Sequence, residues 1–348
     1  MKIALVGLSG GTHIGGSFAR AARELGIATI WFDADEAFQA PRLLRALSWR
    51  FAARRPPRLG SFSDKVVDTC ARESPELLIA LGTAALTRSA LQRLRSLDIT
   101  CLAFSSDDPW NCNLRAGWHL AAIPAYDVIF TPRSLNLEDF RRLGCADVRY
   151  LPFGYDDEIF NPLRGRVDAP SWDVLFVGGA DRDRNAFMSE FLRSGLRTAL
   201  VGGYWDRFPQ TRSFALGFKT PDELFALTAA AKVNICLVRR ANRDGHVMRS
   251  FEIAAAGGCM LAEDTDEHRQ IFGPDGETVL YFRNARDASE RASLLLERPA
   301  ERARLGAAIR ARVAVPQNTY RARLVTMLEA AGALHSRIKT PPPRIAAQ

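Results

Sequence analysis

One stretch, residues 239–258, carries most of the chemistry that can be read from this chain. It runs Arg239-Arg240-Ala241-Asn242-Arg243-Asp244-Gly245-His246-Val247-Met248-Arg249-Ser250-Phe251-Glu252-Ile253-Ala254-Ala255-Ala256-Gly257-Gly258. It leaves an apolar strand, crosses a polar loop and enters a small-residue helix that stops at glycine. Backbone N–H groups at such a helix start suit an anion. The carboxylates Asp244 and Glu252, with seven residues between them, suit the hydroxyls of a sugar.

Three further segments could carry chemistry. The first is Gly7-Leu8-Ser9-Gly10-Gly11-Thr12-His13, between the first strand and the first helix. Its glycines, Gly10 and Gly11 among them, allow close approach to a phosphate or sugar. It does not follow the Gly-x-Gly-x-x-Gly dinucleotide pattern, which argues against a nicotinamide enzyme. His13 is a candidate ligand contact or catalytic group. The second is Ser105-Ser106-Asp107-Asp108-Pro109-Trp110, directly after a strand. Asp107 and Asp108 beside an aromatic suit sugar recognition first, and a cap and turn as the alternative, since Asp-Pro is turn chemistry. The third is Gly178-Gly179-Ala180-Asp181-Arg182-Asp183-Arg184. Arg182 and Arg184 could clamp a diphosphate. Asp181 and Asp183 could instead hold a divalent metal, but the adjacent arginines already supply positive charge.

The elements that must position these groups alternate almost from end to end. Strands are expected at 2–7, 28–33, 77–81, 100–104, 127–131 and 148–152, with helical patterns at 17–25, 85–94 and 136–143 between them. A Pro-, Gly- and Asp-rich stretch then breaks the rhythm. A second series follows, with strands at 172–178, 198–202, 233–238, 259–262 and 278–282 and helices at 221–231, 249–256 and 266–272. Two helical segments, 300–313 and 318–337, close the chain. The pattern is α/β: two doubly wound, Rossmann-like parallel-sheet domains. The expected divisions are 1–155, a linker at 156–170, 171–317, a terminal helix at 318–337 and a disordered tail at 338–348. Ligands of such sheets bind outside the carboxyl ends of the strands. A cleft between the two domains is the expected active site.

Length and composition agree with this division. The 348 residues suit two domains. No apolar run approaches the roughly 20 residues that span a bilayer. The apolar start 3–8 is too short for a signal peptide, so a cytoplasmic protein is expected. The six cysteines form no Cys-x-x-Cys pair, and neither a disulfide framework nor a metal site is expected. The net charge of +8 comes from 42 arginines and only five lysines. Such a bias fits a GC-rich genome, and it also fits an anionic partner. Residues 37–58 read as a helix carrying Arg42, Arg45, Arg50, Arg54, Arg55 and Arg58. That helix could rest on the inner face of a membrane or simply be solvated.

The 245–258 segment resembles the C-terminal domain of glycosyltransferases of the GT-B fold. The resemblance is to the glycosyltransferase group 1 superfamily, in its spore-maturation CgeB-like branch. It extends to Glu267, Phe272 and 276–281 downstream, and to 151–156 and 160–162 upstream. It implies GT-B architecture and transfer of a sugar from a nucleotide-sugar donor held by the C-terminal domain. By resemblance, Glu252 binds the donor ribose, and Asp244 contacts the donor sugar where the superfamily usually carries Glu. Arg182 and Arg184, with Arg240 and Arg249 nearby, would meet the diphosphate. The backbone of Gly245, His246, Val247 and Met248 would support phosphate or sugar, with Gly10 and Gly11 as further donor contacts. The resemblance further implies an anomer-retaining, metal-independent reaction without an added cofactor. Asp107, Asp108, His13 and Asp244 are then the candidates for orienting the reacting groups. The acceptor stays open: a glycan, a lipid-linked sugar, a small molecule or a protein. A non-catalytic nucleotide- or glycan-binding relative is the alternative. A DNA-directed glycosyltransferase or nucleic-acid binder would need a basic motif that the chain lacks.

Overall fold

The computed structural model describes residues 1–10, 13–41, 48, 50, 54–161 and 169–339. Gly11, Arg42, Arg45 and the tail from residue 340 lie outside the described residues, and with them the middle of the expected 37–58 helix. The chain forms two compact units. The first takes in Met1–Leu151 and the chain from Arg321 onward, and the second is Pro152–Tyr320.

The first unit is built on one parallel sheet. Its strands are β1 (Lys2–Gly7), β2 (Ala28–Asp33), β3 (Leu77–Leu81), β4 (Thr100–Phe104), β5 (Val128–Thr131) and β6 (Val148–Tyr150), in the order β2-β1-β3-β4-β5-β6. Both β3 and β4 are buried along their whole length, as strands covered on two faces must be, and this is why they read as unbroken apolar runs. The described helices are α1 (Ile14–Glu24), α2 (Leu59–Glu73), α3 (Arg88–Ser96), α4 (Gly117–Ala122) and α5 (Ser134–Arg142). Parallel strands put the start of each helix near the carboxyl end of the sheet. Thr87 caps α3, its hydroxyl accepting from Ala90 N–H at 3.2 Å.

The second unit repeats the plan. Its strands are β7 (Val174–Val177), β8 (Thr198–Val201), β9 (Ala215–Gly217), β10 (Val233–Cys236), β11 (Met260–Glu263) and β12 (Leu280–Phe282). They lie parallel in the order β12-β11-β10-β7-β8-β9. The chain builds outward from β7 and then returns to its other side with β10. The crevice between β7 and β10 is therefore the topological switch point, where loops from the two halves of the sheet diverge. Helices α6 (Arg182–Phe191), α7 (Pro221–Ala230), α8 (Met248–Ala255), α9 (Asp266–Phe272), α10 (Ala285–Glu297) and α11 (Pro299–Val313) complete the unit, and α12 (Tyr320–Lys339) follows. Val174, Phe176, Ile235 and Leu261 pack on one face with Met188 and Phe191 of α6 and the alanines of α10. Leu175, Ala199 and Val201 pack on the other face with Leu224 and Leu227 of α7.

Two details differ from the sequence expectation. Phe153 and Tyr155 are buried and tied into the second unit, Tyr155 bridging to Thr319 as a parallel pair. Helices α2, α4 and α10 and strand β9 are not among the expected elements, although α2 buries Leu59, Phe62, Val66, Val67 and Cys70 at helical spacing.

Candidate functional site in the second unit

The site begins at the β7–α6 turn. Gly178 N–H donates to Val201 O, and Ala180 N–H donates to Gly203 O, so this turn lies against the one that leaves β8. Gly202 makes that possible. Its φ is +125°, and a Cβ there would stand 2.6 Å from the Gly178 carbonyl oxygen. Gly202→Ala is expected to cost about 3 kcal/mol or more, combining backbone strain with a backbone collision. Gly276→Ala, at φ +82° with nothing within 4 Å of its Cβ position, should cost less than half as much. Urea unfolding of the two variants checks the difference.

Asp181 caps α6 through Arg184 N–H at 2.9 Å and meets Arg239 at 3.7 Å. Arg184 is turned inward. Its Nη1 donates to Gly179 O and its Nη2 to Leu237 O, both at 3.3 Å, so it joins the loops after β7 and β10. Burial and the neighbouring Arg239 lower its pKa to about 10, opposed by Asp181 and Asp244, so it stays charged. Arg182 is exposed on the first turn of α6, and Arg240 is exposed while pairing with Glu263 at 3.2 Å.

The loop after β10 is held from beneath by two histidine networks. His246 is fully buried. Its Nε2 accepts from Phe153 N–H at 3.2 Å, so its Nδ1 carries the proton and donates to Glu267 at 2.7 Å. Gly245 is needed beside this pair, because a Cβ there would stand 2.5 Å from the Glu267 carboxyl carbon. His268 Nδ1–H donates to Glu263 O at 2.8 Å, and its Nε2 accepts from the Ser250 hydroxyl at 2.9 Å. Ser250 Oγ in turn accepts from Val247 N–H at 3.2 Å, which fixes the start of α8. Thr265 Oγ1 donates to Gly245 O at 2.5 Å and also caps α9. Met248 opens α8, whose Arg249 and Glu252 form a close ion pair. Glu252 is 4% exposed. Burial raises its pKa, Arg249 opposes the rise and Asp156 adds to it. Asp244 is buried, and its N–H donates to Arg239 O.

A cavity of about 270 Å³ opens between α6, the β10 and β11 ends and the start of α10. It is lined by Asp183, Arg184, Val238, Arg240, Glu263 and Arg283, among others. Of the described donor-site candidates, only Arg184 and Arg240 line this cavity; Arg182 opens α6 after β7, and the segment 244–252 follows β10, with Asp244 close enough to Arg184 to act on its charge. The chemistry available is a set of cations, helix-start amides and two carboxylates, an arrangement able to hold a charged diphosphate and a diol. Among the described residues, no three His, Cys, Asp or Glu side chains converge as metal ligands. Glu263 and His268 escaped the sequence reading. Their only local signal was a carboxylate ending an apolar strand and a histidine in the next helix.

The remaining candidates belong to the first unit. His13 is exposed and precedes α1, its N–H donating to Gly10 O. Asp108 is buried and accepts from Trp110 N–H and Asn136 Nδ2, at 3.0 and 3.2 Å, so part of it braces the turn after β4. Asp107 is half-buried, and its charge partly offsets the burial that lowers the His119 pKa to about 4. These groups lie at the carboxyl ends of β1 and β4, where ligands of the fold bind.

Two parallel six-stranded sheets of this kind define the GT-B glycosyltransferase fold, and solved structures share it. A UDP-forming α,α-trehalose-phosphate synthase from Burkholderia xenovorans, in complex with glucose-6-phosphate, is 13% identical with a TM-score of 0.62, over 95% of this chain and 99% of that one. A glycosyltransferase from Rickettsia africae is 10% identical with a TM-score of 0.62, over 95% and 97%. A candidate UDP-N-acetylglucosamine 2-epimerase from Listeria monocytogenes is 12% identical with a TM-score of 0.59, over 98% of each chain. Within this fold, residues 182–329 match the family described as glycosyl transferase-like. No curated protein matches the chain in sequence. Among the described residues, no helix is long and apolar enough to cross a membrane.

Proposed function

We propose that this protein transfers a sugar from a nucleotide-sugar donor to an acceptor, with the donor held by the second unit. The observation that carries the reading is the 244–252 segment. It sits at the β7/β10 switch point with its backbone fixed by buried histidines, within the stretch that matches the glycosyl transferase-like family. Glu252 takes the ribose hydroxyls and Asp244 the donor sugar. The diphosphate lies against the start of α8, within reach of Arg182 and Arg240, while Arg184 holds the two loops together and adds its charge. As the C1–O bond to phosphate breaks, negative charge grows on the leaving diphosphate. Arginines and helix-start amides already aimed there stabilise it, so the step needs no metal. The acceptor oxygen bonds to C1 on the same face, and its proton passes to the leaving phosphate oxygen, with retention at the anomeric carbon. The UDP-forming activity named for the Burkholderia enzyme makes UDP-sugars the first donors to try. We assign the chain to the CgeB-like branch, and its six unpaired cysteines fit work in the cytoplasm.

A thermal-shift panel of nucleotides and nucleotide sugars tests this reading. One nucleoside diphosphate and its sugar conjugate should raise the melting temperature, and slow hydrolysis of that conjugate should release the free sugar. Release of a 2-epimer instead would favour epimerisation, which the same fold also serves. No shift with any nucleotide at millimolar concentration would sink the proposal.

A further inference from the structure

The first unit holds a second groove of different chemistry, of about 440 Å³, within the ~300–1,000 Å³ range of small-molecule sites. It lies where α2 and α3 begin and α4 passes. Arg55, just before α2, and Arg88, the first residue of α3, line it together with Thr87, Ser89, Gln92 and Trp118. Arg93, Arg95 and Arg149 each hold a carboxylate, on Asp64, Asp127 and Asp147. Among the described residues, the guanidinium groups of Arg55 and Arg88 hold none, and no carboxylate lines the groove. This contrasts with the second-unit cavity, where acids and arginines alternate. Trp118 is anchored, its Nε1–H donating to Arg54 O at 3.2 Å, and it gives the groove a fixed apolar wall. Ser89 and Gln92 are exposed; the Ser89 hydroxyl shares a hydrogen bond with the Thr87 hydroxyl at 3.1 Å and keeps a lone pair for a ligand hydroxyl.

Two unpaired guanidinium groups from separate elements suit a group with two negative charges and several acceptor oxygens, that is, a phosphomonoester. An indole wall with a hydroxyl and an amide beside it suits the carbon skeleton of a sugar. We propose that this groove binds the phosphate of a phosphorylated sugar, which is the acceptor of the transfer. Its role as acceptor rests on the glycosyl-transfer reading above; the binding does not.

Titration calorimetry of the full chain tests the proposal, using glucose 6-phosphate, glucose, inorganic phosphate, and phosphatidylcholine vesicles with and without phosphatidic acid. Glucose 6-phosphate should bind without any nucleotide, glucose should not, and inorganic phosphate should bind more weakly. Arg55→Gln and Arg88→Gln should each weaken binding at least about tenfold, with the melting temperature and the UDP response retained. Binding to the phosphatidic acid vesicles in place of glucose 6-phosphate, lost in the same variants, would assign the phosphomonoester to a lipid. Binding to neither, or unchanged binding in both variants, overturns the proposal. If glucose 6-phosphate binds while no nucleotide does, the groove stands and the donor reading fails.

Discussion

Replacing Glu252 by Gln lowers kcat/KM for the nucleotide sugar by about 100- to 1,000-fold, the expected loss of about 3–4 kcal/mol for two charge-assisted hydrogen bonds to the ribose. The size follows from where the carboxylate sits. It lies on the second turn of α8, 4% exposed, and is paired with Arg249. Binding the diol therefore exchanges little water and adds to a preformed ion pair. Gln keeps the shape but can accept at only one atom, and it leaves Arg249 without its counter-charge. Some stability goes too, about 3 kcal/mol where a buried pair is broken. Kinetics are therefore read well below the melting temperature. UDP affinity in the same variant should fall in parallel, because the lost contact is to the nucleotide in ground and transition states alike. Activity within tenfold of the parent would remove Glu252 from the donor site. The raised Glu252 pKa adds a second expectation. Only the ionised carboxyl accepts from both ribose hydroxyls. UDP affinity should therefore weaken as the pH falls through a range above that of ordinary carboxylates, and Glu252→Gln should flatten that dependence.

Much of this arrangement was legible in the chain because burial on both sheet faces writes strands as apolar runs. The expected bounds of β1 to β4 coincide with the observed ones. Where an edge strand is very short, or burial is made by small residues, legibility ends. Strand β9 is three half-buried or exposed residues at a sheet edge. Helix α10 buries Ala285, Ala288, Ala292 and Leu295 at helical spacing, but three of the four are alanines within an Arg-, Asp- and Glu-rich segment. Helix α2 starts only after Pro56 and Pro57, with Arg54 at φ +61° before them, so the pattern counted from residue 37 ran past a break. The candidate site divides in the same way. The 244–252 segment announced itself by density of polar groups. Its supports did not, because His246 meets Glu267 and Ser250 meets His268 across 21 and 18 residues. Those links exist only once β10 and β11 lie side by side. Arg184 shows the limit of reading residue type alone, since its guanidinium is spent largely on two backbone carbonyls.

Acid should unfold the protein through those same supports. His268 is fully buried and neutral, with both ring nitrogens committed: Nδ1–H to Glu263 O, and Nε2 to the Ser250 hydroxyl. Burial is the main reason its pKa falls from the usual 6.5 to about 4, and the neighbouring His246 lowers it further. In the first unit burial likewise lowers the His119 pKa to about 4. The unfolded chain takes up these protons first, below pH 6.5, while the folded chain resists until about pH 4. Stability from each histidine is thus full above pH 6.5 and is lost as the pH falls toward 4, by an amount on the order of 3 kcal/mol each. Urea midpoints measured from pH 7.5 to 4.5 should fall steadily, with the slope steepest below 6.5. His268→Gln should be less stable at pH 7.5 yet lose less on acidification, having one fewer group to protonate on unfolding. Equal slopes in the two proteins would show that His268 is already charged in the fold. The consequence reaches the site as well as the global stability. A protonated His268 cannot accept from Ser250, so the hydroxyl that holds Val247 N–H must turn. The start of α8 then loses its fixed geometry, and UDP binding in wild type should weaken as the pH falls toward 4.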